Sequence, residues 1–118
     1  MSILGVGTDI VETQRVRGLF EREQGFAARV FTQVELDYSL SRERKYLHLA
    51  ARFAAKEAVA KALGRSFSWQ DVELVNNAEG KPMVNLYGEA KRVANGATVH
   101  VSLSHTKHYA AAVAVVEG

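Results

Sequence analysis

A chain of 118 residues, 47% of them hydrophobic, has material for one modest core and none to spare for a second, so residues 1–118 are read as a single domain. Its net charge of +2 falls short of the dense positive charge of nucleic-acid-binding domains, and the absence of cysteine excludes disulfides and thiolate metal sites. No run approaches the roughly 18 apolar residues of a membrane span, and Met1-Ser-Ile-Leu-Gly-Val-Gly7 lacks the basic start of a targeting leader, which together point to a soluble, cytoplasmic protein.

Ile3 to Val11 reads as a strand, with an acid, Asp9, set among β-formers and preceded by Gly5 and Gly7, where another backbone or a ligand has room to approach. Glu12 to Phe20 follows as a helix running out near Gly25, with Val16, Leu19 and Phe20 at core spacing and Arg15, Gly18 and Arg22 on the other face. Phe26 to Leu40 is a shorter helical or irregular stretch in which Thr32-x-x-Glu35 has the form of a capping box. The main helix is expected from Arg42 to Leu63, stopped by Gly64.

The second half changes to β character. Val72 to Val75 and Met83 to Leu86 form a hairpin across the turn Asn76 to Pro82, and a short helix from Glu89 to Ala94 ends at Asn95-Gly96. Thr98 to Leu103 alternates, with Val99, Val101 and Leu103 opposite His100, Ser102 and Ser104, and Tyr109 to Val116 is a final apolar strand. The expected class is α+β, two or three helices packed on a small antiparallel sheet.

Helical spacing places Ala50, Phe53, Glu57 and Lys61 on one stripe, apolar except for its two charges. Taken singly, Asp9 reads as a strand-end cap and Glu57 as a surface residue paired with Lys61. Two carboxylates in apolar settings also suggest one shared cation, and Mg²⁺ needs only one or two carboxylates, its other ligands being waters and substrate phosphates. At Ser102-Leu-Ser104-His105-Thr106, hydroxyls, an imidazole and free amides at a strand end suit an anion, although a lone histidine is more often a surface or core group, the role given to His100. Arg15 and Arg22, at i and i+7, either grip an acidic helix or form an ordinary solvated face, and Arg44 and Lys45 stand nearby as rim contacts. An RNA- or nucleotide-holding module competes with these readings, but Tyr38, Tyr46 and Trp69 show no platform-like interleaving with arginine. A purely structural assembly subunit is a third reading.

Four motifs in order, Gly5-Val-Gly-Thr-Asp9, Lys56-Glu57-Ala-x-x-Lys61, Gly80-Lys81-Pro82 and Ser102-x-Ser104-His105-Thr106, make the chain from Gly5 to about Val115 resemble the small bacterial type of the 4'-phosphopantetheinyl transferase superfamily, the holo-[acyl-carrier-protein] synthases. The resemblance implies that family's fold and Mg²⁺-dependent transfer of 4'-phosphopantetheine from coenzyme A to a serine of apo acyl carrier protein, in the service of fatty acid biosynthesis. It further implies Asp9 and Glu57 as metal ligands, Glu57 also preparing the serine hydroxyl, and Lys61 on the phosphates. Arg52, Lys81, Ser104, His105 and Thr106 become coenzyme A contacts and Arg15 a carrier-docking residue, while Arg22 joins it on helix geometry alone. A homotrimer with coenzyme A between protomers is implied as well. The chain departs from the pattern at Arg65-Ser-Phe-Ser-Trp69, bulky residues where relatives carry a glycine-rich turn.

Overall fold

Alternation in the last strand organises the molecule. Ala110, Ala112, Ala114 and Val116 are buried on one side of Tyr109–Glu117, while Ala111, Val113 and Val115 face outward. The computed structural model describes residues 1–118, in the order β1 (Ile3–Glu12), α1 (Thr13–Arg22), α2 (Phe26–Val30), α3 (Gln33–Leu40), α4 (Lys45–Leu63), a 3₁₀ turn (Trp69–Asp71), β2 (Val72–Asn76), β3 (Pro82–Leu86), α5 (Gly88–Ala94), β4 (Thr98–His105) and β5 (Tyr109–Glu117). β5 is the middle of a three-stranded antiparallel sheet, β1-β5-β4, and β2 and β3 pair as a separate ribbon. The class is α+β as expected, with five α-helices rather than two or three and two sheets rather than one.

α4 lies across the inner face of the sheet, and its alanines allow that. Ala50, Ala51, Ala54, Ala55, Ala58 and Ala62 are all buried with Leu49, Phe53 and Val59. The approach is closest at β1, where a Cβ added to Gly5 would stand 1.9 Å from the Ala62 carbonyl oxygen and one added to Gly7 would stand 2.0 Å from that of Ala58. Only glycine lets the helix backbone rest on the strand backbone there.

Local chemistry sets the boundaries. α1 ends at Arg22 because Glu23 turns extended, and the stretch after it divides into two helices at Phe31-Thr32. The Thr32–Glu35 capping box forms as the sequence predicts. α4 starts at Lys45 instead of Arg42, since the Arg42 guanidinium turns back to the Tyr38 carbonyl, 2.7 Å away, and Arg44 brings no capping side chain. Gly64 closes α4 at φ 89°. β4 runs two residues past Leu103, which keeps Ser104 and His105 in register with Ala111 and Ala110.

Two features were not foreseen. Glu35 and Lys56 are both buried and paired at 2.9 Å, with Glu35 also accepting from the amide of Leu74 at 2.7 Å. The outer face of the three-stranded sheet carries an open apolar patch across β1 and β5, where Val6 and Ile10 are 58% and 66% exposed beside Val113 and Val115. No helix is long and apolar enough to cross a membrane.

Candidate active site

Asp9 shares the inner side of β1 with Gly5 and Gly7, so the pleat that brings the glycines under α4 also brings the carboxylate to the helix. Lys61 reaches back to meet it, with Nζ 3.4 Å from Asp9 Oδ1 and 2.9 Å from the carbonyl oxygen of Thr8. Asp9 is the more enclosed partner, its side chain 18% exposed against 55% for Lys61.

Lys61 stands between two concavities. One, of about 580 Å³, is lined by Glu57, Gly64, Phe67, Trp69 and Val72. The other, of about 480 Å³, is lined by Asp9, Ile10, Ser102, Ser104 and Val113. Glu57 sits one helical turn before Lys61, partly buried, and its carboxylate takes no hydrogen bond or ion pair from the protein. No cluster of three or more histidine, cysteine or acidic side chains exists. A two-carboxylate donor set made only of oxygen fits Mg²⁺, which completes its shell with waters and phosphate oxygens, and does not fit a metal that demands an all-protein cage.

Arg52 lies on α4 five residues before Glu57 and packs into different neighbours. Arg52 is not a solvated helix charge: it is 3% exposed, donates to Asn76 Oδ1 at 2.8 Å, stacks 4.2 Å from the Tyr38 ring centre, and leaves its buried Nε without a partner. Burial lowers its pKa from the ordinary arginine value. Asn76 in turn donates to the Gly80 carbonyl at 2.9 Å, linking Arg52 to the turn that carries exposed Lys81. His48 is held below the usual histidine range by burial and then by the positive charge of Arg52 and Arg42. Thr106 closes the β4–β5 turn, its amide on the Tyr109 carbonyl and its hydroxyl accepting from the Tyr109 amide. Within one chain, then, Asp9, Glu57 and Ser104 line the two concavities that meet at Lys61, Arg52 packs against His48, Tyr38 and Asn76, and His105 follows Ser104 at the end of β4.

Arg15 and Arg22 share a face of α1, as the spacing predicts. Arg22 folds over Gly18, where a Cβ would stand 2.7 Å from its Nη2, and the Arg15 guanidinium lies 5.8 Å from the ring centre of Phe53. The absence of arginine–aromatic interleaving is corrected by the fold. Tyr38 carries Arg42 at 3.4 Å as well as Arg52, and Tyr46 carries Arg17 and Lys45. The α3–α4 turn brings together residues that are scattered in the sequence, and Arg52 is buried packing rather than an open platform. Sequence reasoning missed Lys56, although it directly precedes Glu57 in the most informative motif.

Residues 5–114 match the family model of the 4'-phosphopantetheinyl transferase superfamily. Holo-[acyl-carrier-protein] synthase of Caldanaerobacter subterraneus subsp. tengcongensis is 42% identical over 119 residues, covering 96% of this chain and 94% of that protein. Among solved structures, holo-ACP-synthase from Plasmodium yoelii superposes with a TM-score of 0.88 at 36% identity over 99% of this chain and 96% of its own. A holo-(acyl-carrier-protein) synthase from Bacillus anthracis, solved in complex with CoA (3',5'-ADP), superposes with a TM-score of 0.83 at 34% identity over 98% and 97%. With its fold and nearly its whole length in common with these enzymes, the chain belongs to the 4'-phosphopantetheinyl transferase superfamily.

Proposed function

We propose that the chain transfers the 4'-phosphopantetheine group of coenzyme A to a serine of apo acyl carrier protein, giving holo carrier and adenosine 3',5'-bisphosphate for fatty acid biosynthesis. The observation that carries this reading is the ammonium of Lys61, which bridges Asp9 and the Thr8 carbonyl in one concavity and lines the adjoining one together with the unpaired Glu57. Asp9 and Glu57 are the residues to hold Mg²⁺, which supplies neutralisation of pyrophosphate charge when bound.

The serine oxygen bonds to the phosphorus that carries pantetheine, the bond from that phosphorus to the bisphosphate breaks, and no covalent enzyme intermediate is required. Glu57 orients the serine hydroxyl and helps prepare it. Lys61 meets the phosphates and stabilises charge on the departing one, a role suited to a cation fixed in place before the reaction. Ser104 lines the second concavity beside Lys61. Arg52, Lys81, His105 and Thr106 form the remaining phosphate and nucleotide contacts.

Arg52 packs onto Tyr38 and Asn76, away from any contact with Asp9 or Glu57, and the open apolar patch of β1 and β5 offers a surface for a second chain. Both features support a homotrimer in which one protomer supplies the metal-binding carboxylates and its neighbour the His105 group. The location proposed is the cytoplasm. Incubation with coenzyme A, Mg²⁺ and apo acyl carrier protein, followed by intact mass spectrometry, tests the proposal. A carrier that gains one phosphopantetheine mass supports it, and a carrier of unchanged mass under all conditions refutes it.

A further inference from the structure

The larger cavity is lined by Glu57 and by the segment Gly64 to Trp69, most of it without regular structure. Irregular backbone next to a reacting group is prone to local opening unless something ties it down. The tie is visible. The Lys56 ammonium, its side chain 2% exposed, donates to the carbonyl of Trp69 at 2.8 Å and to that of Val72, while pairing with Glu35 at 2.9 Å. Glu35 is itself fixed twice more, accepting from the Thr32 amide at the cap of its own helix at 2.8 Å and from the Leu74 amide of β2 at 2.7 Å. One buried ion pair thereby joins α3, α4, the 3₁₀ turn and β2.

We infer that Lys56 is a positioning residue, which fixes the Phe67–Trp69 wall at a set distance from Glu57 and so shapes the cavity for its phosphate-bearing substrate. Lys56 and Glu57 are adjacent in the chain, so the anchor of the wall and the carboxylate facing it move as one piece of α4. Trp69 completes the linkage, stacking on Phe53 with ring centres 5.0 Å apart and planes at 29°, and Phe53 is one turn from Glu57 on the same stripe. Stability alone is a weak reason for such a pair, because taking two charges out of water costs more than apolar packing of the same volume. Burial indeed lowers the Lys56 pKa from the ordinary lysine value, against the pull of Glu35 and Glu73. The bulky Arg65–Trp69 segment thus acquires its own fastening.

This inference rests on the transferase reading for its substrate, and Trp69 makes it testable apart from that reading, since it is the only tryptophan in the chain. Lys56→Met removes the donor with little change of volume. In the folded variant, checked by circular dichroism, acrylamide quenching of Trp69 should rise, and KM for coenzyme A should rise on the order of tenfold or more with a smaller change in kcat. The double variant Lys56→Met/Glu35→Gln removes both charges of the pair, so it should regain part of the lost thermal stability while Trp69 stays loose and KM stays high. If Lys56→Met does not fold, the double variant carries the same readings. Quenching and KM at parental values in a folded variant, or their recovery together with stability in the double variant, would overturn the inference and leave Lys56 a purely structural group. A parent protein that fails to transfer from coenzyme A refutes the transferase reading instead, and Trp69 quenching still decides for or against the wall.

Discussion

The ammonium of Lys61 holds the backbone and the side chain of two successive residues on another element, the carbonyl of Thr8 at 2.9 Å and the carboxylate of Asp9 at 3.4 Å. Removing it frees both. Lys61→Ala should keep the fold, because the side chain is more than half exposed, and should lose transfer activity. Asp9→Asn and Glu57→Gln should likewise fold and each lose on the order of 10²-fold or more in kcat/KM, the scale of removing a principal electrostatic stabiliser. Parental rates in either carboxylate variant at saturating Mg²⁺ would end the metal assignment.

Gly7→Ala tests how tightly the site is built. Its Cβ would stand 2.0 Å from the Ala58 carbonyl oxygen, so the helix must lift or the strand must bend. A loss of about 1–3 kcal/mol is expected for such overpacking, read as a lower midpoint in urea. Activity should fall further than stability, because Asp9 rides on the same strand. An unchanged midpoint would mean that α4 and β1 have slack between them.

The sequence resemblance implies carrier docking at Arg15 on α1, with Arg22 on the same face. Arg15→Glu should raise KM for the carrier, or abolish saturation, and leave the affinity for coenzyme A close to that of the parent. Added salt should weaken the carrier step of the parent, since exposed charge pairs are screened over about 8 Å at physiological ionic strength. Equal losses for carrier and coenzyme A would show that another surface does the docking.

The open sheet face makes a prediction about assembly. Ile10→Glu and Val113→Glu place charge on a surface that a neighbouring chain must cover, so light scattering should show a trimer for the parent and monomers for the variants. Mixing a His105→Ala chain with a Glu57→Gln chain under exchange conditions should restore activity at sites built from one intact half of each. A monomeric parent at working concentration rules the arrangement out.

Glu73 sets an acid limb. Burial alone would push its carboxyl up, but hydrogen bonds from Thr32, Tyr87 and Asn85 and the charge of Lys56 hold it below the ordinary value of 4.5. A depressed carboxylate stabilises the fold above its unfolded value, and that contribution disappears as pH falls through the folded one. Urea midpoints should therefore drop below about pH 4.5, and Glu73→Gln should flatten the decline. An equally steep decline in the variant would place the acid sensitivity elsewhere.

Much of this was legible in the sequence because it was written in local pattern. Strand alternation, the Thr32–Glu35 box, Gly64 at the end of α4 and the stripe carrying Glu57 and Lys61 depend on residues a few positions apart, and the structure bears them out. The role of Gly5 and Gly7 was half legible: they announced a close approach without naming the α4 backbone as what approaches. What pattern could not show was long-range chemistry. Lys56 reads as one more charge beside Glu57, and only the fold brings it to Glu35 and to the carbonyls of Trp69 and Val72. Arg52 likewise becomes buried only when Tyr38 and Asn76 close over it.

The pairing of the first strand with the last has a consequence for how the chain folds. β1 has no neighbour in its sheet except β5, and Ile3 pairs with Glu117. Loop-closure entropy across nearly the whole chain must be met before that pairing is rewarded, which slows folding. During synthesis the helices and the β2–β3 ribbon can form while β1 waits, its edge unpaired and Val6 and Ile10 uncovered, until the final strand leaves the ribosome. Aggregation during expression is thus most to be expected from nascent and C-terminally truncated chains, and the missing β5 sequence, supplied as a separate peptide, should relieve it by pairing with the waiting edge.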